Sequence, residues 1–281
     1  MSTLKRKLPP NRSFDQVYNH YLVEKELAEK LRLSSQNERT QIYLSMYDTL
    51  FRRVPDHPRI TRSGNRELTD FANNSKLSLT RRYIGSHSTV LEFAPGDCKF
   101  AMLLCQYARF VYAVDISDQR NVLERDPENF QLIIYDGYQL EVPENSIDVI
   151  FSDQLIEHFH PDDSSLHFQL TWRLLAPGGI YIFRTPHAFS GPHDISKFFS
   201  DTPEGFHLKE WTYGELTSLL QTLGFRKIRG YWAVRHFRLR LPLVCFRWAE
   251  NLFREFPARP KHYLSQWLFR NINMTAVKPS K

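Results

Sequence analysis

Cysteine is scarce in this chain: Cys98, Cys105 and Cys245 are the only three in 281 residues, and their spacing follows no pattern. That excludes a disulfide framework and a cysteine-based zinc site, and points to a reducing, cytoplasmic compartment. No apolar run approaches the roughly 20 residues that cross a bilayer, so no transmembrane segment is expected. The start, Met1 to Asn11, is basic and contains proline but has no apolar stretch, so no signal peptide is expected there. Internal repeats and low-complexity tracts are absent. Charge of one sign is also lacking: 37 Lys and Arg against 31 Asp and Glu give +6. Such a mild bias suits a nucleic acid, a membrane surface or neither, and solvated Lys and Arg on helix faces account for it. The chain does have the length to bury one large core with a smaller cap.

The first seventy-odd residues read as that cap. Ser13 with Gln16 and Ser35 with Glu38 have capping-box spacing. After the second box, Ile42, Tyr43, Met46, Tyr47, Leu50 and Phe51 fall on one helical face. Pro55 and Pro58 stop that helix, and Asn74 to Tyr83 reads as one more short helix. Strands alternating with helices follow, with no close hairpin between them, which predicts a parallel sheet. The strands are Thr89–Phe93, Phe110–Val114, Phe130–Tyr135, Ile147–Phe151 and Ile180–Phe183. Thr212 and Glu215 form a third capping box, Leu216, Leu219, Leu220 and Leu223 give its apolar stripe, and Gly224 suits the residue past the helix end. Two last strands, Phe225–Val234 and Asn271–Val277, enclose a basic, aromatic-rich insertion, His236 to Phe269.

The most informative stretch is Val90-Leu91-Glu92-Phe93-Ala94-Pro95-Gly96-Asp97-Cys98. A buried strand breaks at a tight Pro-Gly turn and a helix begins, which is how a doubly wound sheet brings backbone close to a nucleotide. The second strand ends in Asp115. A carboxylate there can accept both hydroxyls of a ribose, because both donate and it only accepts. Together these features predict a nucleoside-bearing cofactor above the sheet.

The order of the signals resembles the class I S-adenosylmethionine-dependent methyltransferases, most closely those that modify small molecules, over about residues 88–230. The matching motifs are Glu92 through Cys98, Val114-Asp115-Ile116-Ser117, Asp136, Phe151 through His158, and Leu174-Leu175-Ala176-Pro177-Gly178-Gly179. Each alone is weak; five in order are not. The resemblance implies an α/β, Rossmann-like fold: a doubly wound, seven-stranded, mostly parallel sheet with an antiparallel last strand. Residues 1–75 would form a helical cap and residues 76–281 the methyltransferase domain, with a helical insertion at 236–269. S-adenosyl-L-methionine is the implied cofactor. Glu92 would attract its sulfonium or ammonium charge, and Asp115 would hold the ribose. Asp136, with the Gly137 amide, would meet the adenine. Ala94, Gly96 and Ile116 would also bind the cofactor, and Ser152, Asp153 and Gln154 would line the tail and the transferable methyl. Ala94 and Cys98 stand where the family commonly has glycine.

Histidines are the acid–base candidates. His158 follows the fourth strand, and His207 precedes the helix capped by Thr212; His160 and His187 are also near strand ends. A hydroxyl acceptor must lose a proton, and a neutral imidazole suits that near pH 7. Some related enzymes of ubiquinone-pathway and small-RNA types bind a divalent metal through Glu-x-x-Glu-His and a later His. Here Gln154, Glu157, His158 and His207 occupy those places, and Gln154 supplies a neutral oxygen where a carboxylate would stand. Whether a metal is used is left open.

The insertion, with Arg238, Arg240, Phe246, Arg247, Trp248, Phe253, Arg254, Trp267 and Arg270, admits several readings. It could be a lid over a hydrophobic or anionic substrate, a surface helix on lipid, a nucleic-acid face with stacking aromatics, or an amphipathic pair packed on the sheet edge. Pro242, Pro257 and Pro260 interrupt any long helix, so a structural cap that shapes the acceptor pocket is the expectation. The function expected is O-methylation of a small metabolite such as a sugar or secondary metabolite, with nitrogen or carbon acceptors not excluded. The alternatives are an RNA methyltransferase, for which no recognisable RNA-binding module is present, and a non-catalytic cofactor-binding regulator. A nicotinamide dehydrogenase would need G-x-G-x-x-G, and this turn has only Gly96.

Overall fold

The computed structural model describes residues 4–62, 66–120, 125–234 and 237–280. Four helices come first: α1 (Phe14–Leu33), α2 (Gln36–Arg53), α3 (Pro58–Arg62) and α4 (Arg66–Thr80). Ser13 caps α1 as expected: its hydroxyl accepts from the Gln16 amide while Gln16 accepts from the Ser13 amide. At α2 the Glu38 carboxylate accepts both the amide and the hydroxyl of Ser35. Pro58 does not merely end a helix; it opens α3 at the first position, where its missing N–H costs nothing.

The sheet follows, with β1 (Thr89–Phe93), α5 (Lys99–Leu104), β2 (Phe110–Asp115), β3 (Phe130–Ile134), β4 (Ile147–Asp153), α6 (Pro161–Leu174) and β5 (Leu175–Pro186). Then come α7 (Tyr213–Thr222), β6 (Arg226–Val234), β7 (Phe237–Leu241), α8 (Leu243–Arg254), α9 (Ala258–Leu268) and β8 (Asn271–Val277). Strand order is β3-β2-β1-β4-β5-β8-β6-β7. The first five strands pair in parallel, and β8 runs antiparallel to both β5 and β6. The expected fold class stands, with one correction: the sheet has eight strands, not seven. The extra one, β7, is drawn from the insertion, whose early residues alternate Arg238-Leu239-Arg240-Leu241 and pair antiparallel with β6 as an edge strand. The insertion is therefore a strand followed by two helices; its first residue, His236, lies outside the described residues.

Five consecutive buried residues in β1 mark a strand covered on both faces. One apolar cluster packs β1, β4 and β5 against α6 and α7, and a second packs the opposite face against α4 and α5. A third core holds α1 to α2 through Val23, Leu27, Leu31, Tyr43, Met46 and Leu50, with Phe206. The joint between this cap and the sheet is a buried fork: Arg39 of α2 donates to both oxygens of Asp163 on α6 at 2.7 and 2.8 Å, and the Tyr138 hydroxyl adds 2.7 Å. Both charges are about 95% removed from solvent, so neither can lose its partner cheaply.

Candidate functional site

A cavity of about 360 Å³ lies between the carboxyl ends of the parallel strands and the inner face of α2. Its floor is set by how β1 turns into α5. Ala94, Gly96 and Cys98 have φ of 51°, 61° and 59°, so three alternate residues sit in the left-handed region. This is the backbone path for which glycine is suited, and it explains the family preference. Ala94 and Cys98 adopt it despite their Cβ atoms, at roughly 1–2 kcal/mol each. A Cβ at Gly96 would meet the same left-handed strain and would come 3.0 Å from the Arg59 guanidinium, the movable end of a long side chain.

Asp115, at the tip of β2, receives the Gly96 amide on Oδ2 at 3.0 Å and the Ile116 amide on Oδ1 at 2.8 Å. It is buried, and burial raises its pKa from the usual carboxylate value. Each oxygen keeps one lone pair for a further donor. Asp115 lines the cavity together with Ala94, Ile116, Gly137, Asp153, Gln154 and His158. Seven of the sequence-predicted site residues therefore meet at one hollow.

The other five do not line it. Glu92 is 1% exposed behind the turn; its Oε1 accepts from Lys76 Nζ at 3.4 Å, and its Oε2 is buried with no hydrogen-bond partner. Burial pushes its pKa up to about 7, against the pull of Lys76. Gly96 forms the turn itself. Asp136 turns away: its Oδ1 accepts the amides of Tyr138 and Gln139, closing the loop after β3 and leaving Tyr135 and Gly137 at the cavity. Ser152 is spent on a 2.7 Å hydrogen bond with the Tyr181 hydroxyl. His207 stands behind His158, the ring centres 5.1 Å apart.

Several residues in or behind the lining were not singled out for the site by the sequence. Lys76 of α4 bridges Glu92 and Asp153, the latter at 3.8 Å, and Arg184 holds Asp153 with a fork at 2.7 and 2.5 Å. This leaves the Asp153 carboxylate below its ordinary pKa. Arg59 lies over the Tyr47 ring at 5.3 Å, facing Asp115 across the hollow. Tyr43, Met46 and Tyr47 form the roof. Their helical face was legible, but not which side of the sheet it would cover.

Behind the wall, Glu157, His158 and His207 present ligand-capable atoms within 4.8 Å of one another. His158 Nδ1 lies 3.0 Å from the Phe206 carbonyl, which can only accept, so the proton is on Nδ1 and Nε2 keeps its lone pair. Burial drives the His158 pKa down to about 3. His207 Nδ1 lies 2.8 Å from Glu210, and despite the opposing effect of burial the surrounding carboxylates hold its pKa up to about 9. Glu157 Oε2 accepts from Thr185, while Oε1 has no partner. A second cluster, His20, Glu24 and His57, is different. Arg12 donates to His20 Nδ1, so the Nε2 proton must face Glu24, and His20 keeps no lone pair for a cation.

Comparisons agree with this geometry. Residues 91–183 match a family model described as a methyltransferase domain. A probable S-adenosylmethionine-dependent methyltransferase of Mycolicibacterium smegmatis is 33% identical over 142 residues, 48% of this chain and 51% of that relative. A similarly described protein of Mycobacterium tuberculosis is 32% identical over 142 residues, 48% of each chain. The match thus spans about half the length of these curated relatives. Among solved structures, the 1,6-didemethyltoxoflavin-N1-methyltransferase of Burkholderia thailandensis, with bound 1,6-didemethyltoxoflavin and S-adenosylhomocysteine, is similar at TM-score 0.57 and 17% identity. That likeness covers 88% of this chain and 92% of the other. A methyltransferase of Archaeoglobus fulgidus gives TM-score 0.52 at 17% identity, over 76% and 95%. The strand order, turn and cavity suit a nucleoside, residues 91–183 carry the methyltransferase-domain match, and the fold is the one seen in these solved methyltransferases.

Proposed function

We infer that the chain binds S-adenosylmethionine in the cavity above β1 and β2 and methylates an oxygen of a small metabolite, such as a sugar or secondary metabolite. The observation that carries this reading is Asp115 facing the same hollow as Gly137 on one side and Gln154 and His158 on the other. The residues fit the cofactor: Glu92 Oε2 is a buried acceptor lacking a donor, and the left-handed turn at Ala94 to Cys98 leaves backbone, not side chains, at the floor. When bound, the cofactor supplies an electrophilic methyl on a sulfonium. Asp115 holds the ribose hydroxyls, Gly137 flanks the adenine, and Glu92 with Lys76 and Asp153 receives the charged tail. Tyr43, Met46, Tyr47 and Phe159 exclude water from the acceptor end and favour an acceptor with an apolar face. His158 offers a lone pair to the acceptor hydroxyl and aligns it; with a pKa near 3 it orients by hydrogen bonding more than it takes a full proton at pH 7. A roofed hollow of this size suits a small molecule better than a nucleic-acid strand. A reducing, cytoplasmic setting is part of this reading, supported by the three free cysteines. Calorimetry with S-adenosylhomocysteine tests the site: Asp115→Ala should weaken binding, and unchanged affinity would remove the ribose role.

A second reading is favoured by one observation, the unpartnered Oε1 of Glu157 between two histidines whose Nδ1 protons are both engaged. Glu157, His158 and His207 would hold a divalent cation, with Gln154 as a neutral fourth donor in place of the usual carboxylate. Melting curves with manganese or zinc against chelator-treated protein decide it: no shift with either ion leaves the cluster as a hydrogen-bonded support.

A further inference from the structure

The insertion's two helices each turn one side to the protein and leave large apolar residues on the other. On α8, Phe246 stacks on Tyr213 at 4.0 Å between ring centres. The buried Glu250 accepts from the Tyr213 and Gly214 amides and pairs with His187. The opposite side carries Val244, Trp248 and Leu252 at helical spacing i, i+4, i+8, exposed by 69%, 67% and 43%. On α9, among the described side chains, Ser265 is the buried one, while Tyr263, Leu264, Trp267 and Leu268 face outward, Trp267 at 73%. Seven large apolar side chains, two of them tryptophan, are thus presented by two short adjacent helices. Single exposed apolar residues need no explanation, but contiguous rows of this kind mark an interaction surface.

The charge around them indicates the partner. Between Leu243 and Arg270 the sequence has five basic side chains and two acidic ones. One of the two, Glu250, is buried, so Glu255 is the exposed carboxylate of the segment, against exposed Arg247, Arg254 and Arg270. The prolines do not prevent helices here. Pro242 and Pro257 are the residues before α8 and α9, and Pro260 is in the first turn of α9, where backbone N–H groups have no intrahelical partner. Among the described residues no helix is long and apolar enough to cross a membrane. Tryptophans on one face and arginines beside them, on helices of 12 and 11 residues, are the composition of a segment lying in a lipid interface.

We propose that the outward faces of α8 and α9 rest on an anionic lipid bilayer, bringing the enzyme to a membrane surface. This does not depend on the acceptor assigned above. Helix α9 packs against residues 188–190, just past the β5 end of the site, with Phe269 stacked on His187 at 4.6 Å, and Glu250 of α8 pairs with the same His187. Docking therefore sets the active-site end of the sheet beside the lipid.

Flotation of the full chain with phosphatidylcholine vesicles, with and without phosphatidylglycerol, tests the proposal. The expected result is binding to the anionic vesicles that falls with added salt, and little binding to the neutral ones. Trp248→Ser with Trp267→Ser should lower vesicle affinity at least about tenfold, and Arg247→Glu with Arg254→Glu should abolish the preference for anionic lipid. Both double variants should keep wild-type affinity for S-adenosylhomocysteine, which reads the fold independently. Absence of binding to anionic vesicles, or binding that neither variant alters, would overturn the proposal. So would sedimentation showing a dimer that the tryptophan variant dissolves, because a second copy would then be the occupant.

Discussion

Glu92→Gln separates the cost of the site from its use. In the free protein the Glu92 carboxyl is 1% exposed, has Lys76 at 3.4 Å on one oxygen, and has no partner on the other. Burial outweighs the lysine, so the pKa rises from 4.5 to about 7. A carboxylate whose pKa is raised on folding binds its proton more tightly in the native state. Between pH 4.5 and 7 the unfolded chain ionises first, so stability falls as pH rises through that window and stays low above it. At about 1.4 kcal/mol per pH unit, the cost of the buried charge approaches roughly 3 kcal/mol above pH 7. Glutamine keeps the shape without the charge. The variant should therefore match the wild type near pH 4.5 and exceed it by up to about 3 kcal/mol at pH 8, or roughly 6–10 °C in Tm for a chain of this size. Saturating S-adenosylmethionine should narrow or close that gap, because the carboxylate then gains a cationic partner and the amide does not. Loss of that charged hydrogen bond should weaken cofactor binding by roughly 1.5–3 kcal/mol. Urea titrations at the two pH values, each with and without cofactor, measure all four quantities. A wild type whose stability relative to the glutamine variant does not change from pH 4.5 to 8 would refute the reasoning about burial. A variant that binds cofactor normally would refute the role given to Glu92.

Other perturbations address the neighbouring parts. Asp115→Ala should cost roughly 1–3 kcal/mol of S-adenosylhomocysteine affinity by calorimetry, since a buried charged acceptor is lost. Ala94→Gly should relieve the left-handed strain at φ 51° and raise stability by up to about 1 kcal/mol in a denaturant melt; a loss instead would mean that the Ala94 methyl group packs usefully. Asp163→Ala strands the buried Arg39 guanidinium and should destabilise by about 3–5 kcal/mol. Because α2 carries Tyr43 and Tyr47, it should also loosen cofactor binding, and an effect on stability alone would separate the cap from the site. His158→Ala and His207→Ala should each depress turnover more than cofactor affinity, and normal turnover by both would remove histidine from the chemistry.

The strands were legible because each is a short apolar run closed by a turn residue. β1, β6 and β8 fall within a residue of where their patterns put them, and the antiparallel last strand followed from the family order. β7 escaped because Arg238-Leu239-Arg240-Leu241 is an edge strand, and half of its alternation reads as basic coil until a partner strand is known. The site divides in the same way. Asp115, Ile116, Gly137, Asp153 and Gln154 were identifiable since strand ends in a parallel sheet all point to one crevice, so their sequence position fixes their location. Lys76 and Arg59 were not, because each reaches the crevice from the helical cap, and the angle at which α3 and α4 cross the sheet is set by tertiary packing that no local pattern encodes. Glu92 and Asp136 show the limit of motif reasoning. Both are where the family order predicts, yet one is sealed behind Lys76 and the other folded into its own loop. A motif places a residue beside a ligand; which way its carboxylate turns depends on competing donors nearby. In this chain Lys76 is that competitor for Glu92, so binding of a cationic cofactor tail must displace or share the lysine. That exchange makes Lys76→Met the complementary test. With its lysine gone Glu92 becomes a costlier buried charge in the free protein, so Lys76→Met should destabilise the free protein at pH 8 and narrow that deficit when cofactor is added; a deficit unchanged by cofactor would show that the two cations never compete.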